Sequence, residues 1–318
     1  MTEGKDQQLL ESLKPHNVEP LWKVMSAMVP PVPKPKASPH LWNYKDLKPL
    51  LVEAGEKVSA NEAERRVLML INPTLKAPQT TDTLYAGLQL IKPGETAPAH
   101  RHTAFALRFI VEGNGGFTAV GGERVNMERG DVILTPRWKW HDHGKDGSGP
   151  MIWLDGLDLP IFQSIPVNFA EGYDSDRYPS ELAKGDSVLK YPWDAVQKYL
   201  DGRPGKHAIF SYNSKEDSTK PISTIIGAQA ERVNANSVSP VRQETSSFVF
   251  HIYEGQGYSV IQLDGKETKL SWTEKDTFCV PSWAKFYHVN EGANTAYLFS
   301  FSDAPLLNNL GFYRVSEN

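Results

Sequence analysis

Cysteine is nearly absent from the 318-residue sequence, in which Cys279 is the single one. An intramolecular disulfide is therefore impossible, and a secreted disulfide-rich scaffold is excluded. Cys279 lies in the run Thr277 to Val280, whose composition predicts a buried strand. We expect a structural thiol, because no neighbouring residue in the sequence would lower its pKa.

The sequence also lacks an excess of positive charge and long apolar runs. The 34 Lys and Arg against 38 Asp and Glu give a formal net charge of -4, so we expect no nucleic-acid partner. The longest apolar runs, such as Val67 to Ile71, are too short to span a bilayer, and residues 1–8 are too polar for a signal peptide. These absences predict a cytoplasmic protein with no membrane partner.

The chain is long enough for two domains of about 150 residues each. Its first section, residues 1–79, is predicted to be helical and Pro-rich, with amphipathic helices at Gln8 to Leu13 and Tyr44 to Val58. The segment Pro30 to Pro35 between them should be extended. It either wraps its own domain, reaches a neighbouring subunit, or is a surface linker.

Two sets of short β-branched and aromatic runs, separated by Gly and Pro turns, predict an all-β core of antiparallel barrels or jelly rolls. We place the first β domain at residues 80–162, a polar connection at 163–221, and a second β domain with a C-terminal tail at 222–318. The predicted strands of the first set are Leu84 to Ile91, Phe105 to Glu112, Gly116 to Val120, Asp131 to Thr135 and Met151 to Leu154, and those of the second are Ser247 to Tyr253, Gly257 to Leu263, Thr277 to Pro281 and Ala296 to Phe301.

The two β regions align with each other. Glu112 and Gly113 match Glu254 and Gly255, and further on Asp131, Pro136, Trp138 and Asp158 match Asp276, Pro281, Trp283 and Asp303 at a slightly larger offset. A near-constant offset kept in the same order indicates an internal duplication with one short insertion.

Four of the nine histidines fall in two clusters within the first copy. His100 and His102 are two positions apart on a predicted strand, so both should point to the same face. His141 and His143 follow the strand that ends near Thr135. The second cluster makes metal binding a stronger interpretation than a surface or core pair, and imidazole suits Fe, Zn, Cu and Ni. A set of three, His100, His102 and His141, would leave coordination positions open for catalysis.

The second copy serves as an internal comparison. Arg242, Glu244 and Phe286 stand where the first copy has His100, His102 and His141, respectively. We therefore expect one metal site per chain, in the first β domain. His288 aligns with His143 and is expected to be structural.

The stretches Pro98 to Glu112 and Gly130 to Pro136, followed by His141, resemble the two motifs of the cupin superfamily. Ala106 and Leu107 stand where the usual cupin has a glutamate ligand. The all-histidine version, together with Leu84 to Gln89, Trp140 to Gly144, Trp153 to Asp158 and Leu310 to Arg314, resembles the gentisate 1,2-dioxygenase family from about Leu21 to Arg314.

This resemblance implies a bicupin enzyme with one Fe(II) per chain, held by His100, His102 and His141, and assembled as a homo-oligomer, usually a homotetramer. The substrates would be O2 and a small aromatic hydroxy acid. Gentisate would be cleaved between the carboxyl-bearing and the adjacent hydroxyl-bearing carbons to give maleylpyruvate. Related activities on salicylate, a substituted salicylate or 1-hydroxy-2-naphthoate remain alternatives. A metal-dependent sugar isomerase or a non-catalytic ligand-binding bicupin are alternatives of another class.

Arg108 lies an even number of residues after His102, so on a continuous strand it would share the same face and could bind the substrate carboxylate. The alternative is a surface arginine paired with Glu112. Gln89 would assist in binding the carboxylate, unless it is a strand-edge amide. His143 would contact the substrate or exchange a proton.

The remaining site residues rest mainly on the resemblance. Asp155 would orient a histidine or take the proton of the substrate hydroxyl, although an Asp before Gly is commonly a turn residue. Tyr85 would line the pocket. Arg65 and Arg66 would approach a carboxylate or cap the barrel surface.

Overall fold

The computed structural model describes residues 3–63 and 65–317. The helices are α1 (Glu3–Leu13), α2 (Leu21–Met28), α3 (Tyr44–Lys57), α4 (Ala60–Ala63), α5 (Trp193–Asp201) and α6 (Ala304–Asn309), with 3-10 turns at Lys14–His16 and Leu159–Gln163. The strands are β1 (His40–Trp42), β2 (Arg66–Met69), β3 (Tyr85–Ile91), β4 (Thr96–His102), β5 (Ala106–Glu112), β6 (Gly116–Val120), β7 (Glu123–Asn126), β8 (Val132–Thr135), β9 (His141–Lys145), β10 (Met151–Leu157), β11 (Ala170–Gly172), β12 (Glu181–Leu182), β13 (Lys190–Tyr191), β14 (His207–Tyr212), β15 (Gly227–Val233), β16 (Ser237–Val238), β17 (Phe248–Glu254), β18 (Gln256–Leu263), β19 (Lys266–Thr273), β20 (Thr277–Val280), β21 (Lys285–Asn290) and β22 (Ala296–Ser302).

The chain divides into two compact units, Met1–Lys34 and Pro35–Asn318. The first contains α1 and α2, and its C-terminal part is not helical, as the prolines from Pro30 onward predict. Among the described residues, no helix combines the length and the apolar character needed to cross a membrane.

The larger unit contains two barrels built from pairs of sheets. In the first barrel, the sheet β13-β8-β5-β10-β3-β2 accompanies the sheet β11-β4-β9-β6-β7-β12. In the second, β1-β20-β17-β22-β15-β14 accompanies β16-β21-β18-β19. The order β8-β5-β10-β3 in one barrel corresponds to β20-β17-β22-β15 in the other, which is the duplication that the sequence predicts.

Alternation along the strands separates the buried side chains into three apolar clusters. On β5, Ile110 belongs to a cluster inside the first barrel, whereas Phe109 belongs to the largest cluster, which also includes Phe299 and Phe301 of the second barrel. The Phe109 and Phe299 rings stack with centroids 4.5 Å apart. The two barrels therefore share a core in addition to their own interiors.

Strands from outside the predicted β domains complete both barrels. β1 pairs with β20 of the second barrel, and β2 pairs with β3 of the first. The polar connection predicted at 163–221 also contains the helix α5 and the strand β14. The domain boundaries at 80–162 and 222–318 stay predictions about the duplicated unit. The sheets of both barrels also contain strands from outside these ranges.

Cys279 is completely buried on β20, and burial raises the pKa of its thiol to about 12. The residues that follow the segment Pro30 to Pro35 bind their own chain. The backbone N–H groups of Lys36 and Ala37 donate to the Asp82 carboxylate. Ser38 is hydrogen-bonded to Asn72 in the same way.

Candidate active site

The first barrel contains a cavity of about 350 Å³, within the size range of small-molecule sites. It is lined by Arg65, Val67, Tyr85, Gln89, His100, His102, Ala106, Arg108, His141, Asp155, Leu157, Leu159, Asn168, Phe169 and Ala170. Most of the polar residues singled out from the sequence are therefore brought to one place.

Three histidines from two strands converge in this cavity. His100 and His102 are on the same face of β4, and His141 on β9 is the paired residue of His100. Ring centroids are 4.0 Å apart for His100 and His141, and 4.8 Å apart for His102 and His141. One nitrogen from each ring lies within 4.8 Å of the others, which is an arrangement that can hold a metal ion.

Each of these rings is oriented by a backbone carbonyl that binds its Nδ1 atom. The acceptors are Pro98 O at 2.9 Å for His100, Ala104 O at 2.8 Å for His102, and Lys139 O at 2.8 Å for His141. Such bonds place the proton on Nδ1 and leave Nε2 as the ligand atom. Nε2 of His141 is buried and has no hydrogen-bond partner among the described residues, so the donor set fits a bound metal.

Burial keeps the imidazoles neutral, which metal binding requires. It lowers the pKa of His100 to about 3 and that of His102 to about 4, with nearby arginines acting in the same direction. Burial also lowers the pKa of His141 well below its ordinary value.

Ala106, at the start of β5, lines the cavity where the usual cupin motif would supply a carboxylate. The cluster of potential ligands found in the described part of the chain consists of the three histidines alone. Three neutral imidazoles would not neutralise the charge of a metal held there. The metal would also have open positions for exogenous ligands.

Arg108 lines the cavity, but it does not lie on the same strand as His102. The expectation of one continuous strand from His102 to Arg108 is wrong, because the chain bends at Thr103 and Ala104 and β5 starts afresh at Ala106. Arg108 is 4% exposed and its Nε atom lies 3.1 Å from Oδ1 of Asp155. The alternative pairing with Glu112 is not seen.

Asp155 is the residue of β10 that stands directly opposite Arg108. Its Oδ2 atom accepts a hydrogen bond of 3.0 Å from the indole Nε1 of Trp153. Burial raises the pKa of Asp155 to about 6, and the charge of Arg108 acts against that rise. Asp155 is thus a strand residue inside the barrel and not a turn residue.

Gln89 and Tyr85 line the cavity from β3. Gln89 is 3% exposed and lies between Val67 and Trp153 in the sheet, so it is not a strand-edge amide. Burial, followed by the charge of Asp155, raises the pKa of the Tyr85 hydroxyl, which therefore stays protonated near neutral pH.

The two adjacent arginines of the N-terminal section have separate surroundings. Arg65 lines the cavity together with Val67, whereas Arg66 lies outside this lining and forms an ion pair with Glu95. Alternation along an extended segment explains the difference. The structure therefore does not place Arg66 where it would meet a substrate.

His143 lies behind the cavity lining and is completely enclosed. Its ring centroid is 5.8 Å from that of His141, and its Nδ1 atom is 2.7 Å from the hydroxyl of Thr118. Its Nε2 atom is buried without a hydrogen-bond partner in the described part of the chain. Burial lowers its pKa well below the ordinary value.

Sequence reasoning missed the cavity residues that come from irregular or later segments. Asn168 and Phe169 line the cavity from the segment before β11, which pairs with β4 beside the histidines. Such a segment carries no periodic signal. Val67 could have been found from its spacing of two from Arg65.

The second barrel has a network of ion pairs at the place where the first barrel has its three histidines. Arg242 donates to the buried Glu231 at 2.8 Å and to Glu244 at 3.1 Å. Tyr313 donates to Glu244 at 2.8 Å. His288 resembles His143 in its hydrogen bonding, because its Nδ1 atom is also close to a hydroxyl group, that of Ser259 at 2.8 Å.

Together, this fold and site define the class of protein as a cupin with a histidine triad that can hold a metal ion. The model of the cupin domain matches residues 87–157. Gentisate 1,2 dioxygenase 1 of Aquipseudomonas alcaligenes is 40% identical over 96% of this chain and 94% of that relative. 5-aminosalicylate 1,2-dioxygenase of Comamonas sp is 33% identical over 96% of this chain and 88% of the relative.

The solved structure of salicylate 1,2-dioxygenase from Pseudoaminobacter salicylatoxidans with gentisate superimposes with a TM-score of 0.88. It is 33% identical in sequence, and the match covers 99% of this chain and 94% of that one. The chain belongs to the gentisate 1,2-dioxygenase family of ring-cleaving dioxygenases.

Proposed function

We propose that this chain is an Fe(II)-dependent gentisate 1,2-dioxygenase. It would cleave the ring between the carboxyl-bearing carbon and the adjacent hydroxyl-bearing carbon, giving maleylpyruvate. One Fe(II) per chain would bind to His100, His102 and His141 in the first barrel. When bound, it supplies redox chemistry toward O2, which Zn²⁺ cannot supply.

The observation that best supports this proposal is that three histidines line the same cavity as Arg108. Each histidine ring is oriented by a backbone carbonyl. Three neutral imidazoles and a buried guanidinium favour an anionic chelator. A 2-hydroxybenzoate is such a ligand, because its carboxylate and ortho oxygen could both bind a metal held by the three histidines. Arg65, which also lines the cavity, adds to the positive charge.

In this proposal Arg108 binds the substrate carboxylate through a charge-assisted hydrogen bond, and Gln89 donates to the same group. Tyr85 and Val67 would form the wall against the ring. These contacts hold the acid in one orientation before oxygen reacts, which is the main contribution that a protein makes to cofactor chemistry.

The proton-handling groups would be Asp155 and His143. Asp155 is ionised near neutral pH, and its Oδ1 atom faces Arg108 at the cavity wall, where it can take a proton from the substrate hydroxyl. His143 is a neutral imidazole whose Nε2 atom is not engaged by the described residues. Its contact with the bound acid or with O2 stays a prediction, because His143 lies behind the residues that line the cavity.

A second candidate is a dioxygenase for salicylate or a substituted salicylate. The structural relative named salicylate 1,2-dioxygenase has been solved with gentisate. Relatives named for 5-aminosalicylate and for 1-hydroxy-2-naphthoate are also similar to this chain. Tyr85 and Trp140 to His143 favour the gentisate branch. A sugar isomerase or a simple binding protein has less support, since neither needs an arginine beside an open histidine triad.

The test is oxygen uptake after anaerobic loading with Fe(II), on gentisate, salicylate, 5-aminosalicylate and 1-hydroxy-2-naphthoate. We expect the highest kcat/KM on gentisate, with maleylpyruvate as product. Equal kcat/KM on salicylate would remove the narrower assignment. Stoichiometric Zn with no oxygen uptake after Fe(II) loading would remove the dioxygenase proposal. A homotetramer and a cytoplasmic location remain predictions, the first of which light scattering would test.

A further inference from the structure

Thr135 is the last residue of β8 and is completely buried. Its hydroxyl oxygen accepts a hydrogen bond from Nη1 of Arg108. Thr135 does not line the cavity, whereas Arg108 does. The hydroxyl therefore acts on the cavity only through the guanidinium.

Arg108 is held from both neighbouring strands of its sheet. β5 lies between β8 and β10. On one side Nη1 donates to Thr135, and on the other Nε faces Asp155 at 3.1 Å. Two contacts from opposite sides fix the plane of a guanidinium that would otherwise lose rotamer freedom when a ligand binds.

The second barrel shows what this part of the fold looks like without the arginine. Phe250 occupies the position of Arg108, and Val280 occupies that of Thr135. The pairing is equivalent, because Thr135 is opposite Ala106 and Val280 is opposite Phe248. Where the guanidinium is absent, the hydroxyl is absent too.

Valine and threonine have nearly the same shape, so Val280 also shows that the strand position itself has no need of a hydroxyl. Val280 is completely buried at the end of β20, as Thr135 is at the end of β8. The hydroxyl of Thr135 is thus explained by Arg108 and not by the requirements of the sheet.

We propose that Thr135 is a positioning residue that sets the orientation of Arg108 for the carboxylate of the substrate. This inference rests on the proposed function, in which Arg108 binds an aromatic acid. The neighbour Asp155 gives the guanidinium a charged contact at Nε, whereas Thr135 is a neutral acceptor that orients it through Nη1.

The experiment compares Thr135→Val and Thr135→Ser with the wild type, all loaded with Fe(II), in steady-state kinetics on gentisate. Thr135→Val should raise KM by roughly 10- to 100-fold, since the hydrogen bond has a charged donor, with a smaller change in kcat. Thr135→Ser keeps the hydroxyl and should stay within about threefold of the wild type. Iron content should be the same in all three folded proteins, and the melting temperature of Thr135→Val should fall modestly, because a buried charged donor loses its acceptor.

Val280→Thr is the matched control, because it makes the reverse exchange at the equivalent position of the second barrel. It should leave KM for gentisate unchanged. A wild-type KM in Thr135→Val, or a KM in Thr135→Ser as high as in Thr135→Val, would overturn the role of the hydroxyl. Absence of wild-type turnover on every acid of the panel would instead overturn the proposed function, and the inference with it.

Discussion

His100 and His141 are paired residues on the antiparallel strands β4 and β9, with ring centroids 4.0 Å apart. Arg242 and Phe286 form the equivalent antiparallel bridge in the second barrel. The same backbone arrangement thus holds two metal-ligand candidates in one copy and a cation with an aromatic ring in the other. Arg242 lies 5.3 Å from the centre of the Phe286 ring.

This relationship predicts different consequences for equivalent substitutions. His100→Ala should abolish iron binding and oxygen uptake, because two imidazoles do not retain the ion. It should also remove the rise in melting temperature that Fe(II) gives the wild type, since a ligand stabilises only the state that binds it. Iron analysis and thermal unfolding with and without Fe(II) are the measurements.

Arg242→Ala is the comparison variant. It should keep one iron per folded chain but lose about 1–3 kcal/mol of stability, because the completely buried Glu231 keeps only its contact with His207. Equal loss of iron from both variants would contradict a single site in the first barrel.

A second prediction concerns affinity for the aromatic acid. Arg108→Ala should weaken gentisate binding by about 2–5 kcal/mol, because a buried charged contact is lost and Asp155 is left without its partner. Anaerobic calorimetry on the Fe(II)-loaded protein measures this directly. Arg66→Ala removes a buried arginine that pairs with Glu95 outside the cavity, so it should lower stability and leave the affinity unchanged. Similar losses of affinity in both would refute the assignment of Arg108.

The convergence of His100, His102 and His141 was predictable from the sequence, because its signal is local. Two histidines at a spacing of two need only a strand to face the same way, and β4 provides it. Nine strands of the two barrels were also predicted, since alternation and turn residues mark them, whereas β7, β9, β15, β19 and β21 were not. Arg108 was placed near the site through a strand continuity that does not exist, so its position depends on how β4 and β5 are packed.

Other features depend on tertiary contacts that leave no trace in a single sequence. Nothing local distinguishes Thr135 from any strand threonine, and only the position of Arg108 gives its hydroxyl a partner. The choice between Arg65 and Arg66 depends on which of them faces into the barrel. The helix α5 was missed although its buried residues Trp193, Val196 and Leu200 recur at helical spacing, because the stretch has only nine residues.

A third prediction follows from Gly87 on β3. A Cβ atom at this position would lie 2.5 Å from the Tyr85 hydroxyl and 2.6 Å from Cγ1 of Val67. Both side chains line the cavity, so Gly87→Ala should displace them, lower stability by about 1–3 kcal/mol and reduce kcat/KM. The loss should be larger for 1-hydroxy-2-naphthoate than for salicylate, because the larger ring needs more of the space.

Gly172→Ala is the control for that substitution. Gly172 is paired with His100, yet a Cβ atom there would meet nothing within 4 Å. We expect its substrate profile to equal that of the wild type across the panel. If both glycine variants changed the profile alike, crowding at Tyr85 and Val67 would not be the cause.

The fourth prediction is a pH dependence of stability that originates at Asp303. This carboxyl group accepts hydrogen bonds from the Ser247 backbone N–H of the second barrel and from the Thr83 hydroxyl near the start of the first. Burial raises its pKa from 3.8 to about 6. The folded state therefore binds this proton more tightly than the unfolded state does.

As the pH rises from about 4 to 6, the unfolded chain releases the proton first, and the contribution of Asp303 to the free energy of unfolding decreases. Asp303→Asn has no such proton. Its stability relative to the wild type should rise across this window by up to about 3 kcal/mol and stay constant above it. Urea unfolding of both proteins at several pH values from 4 to 8 measures the difference, and a difference independent of pH would show that folding does not raise the pKa of Asp303.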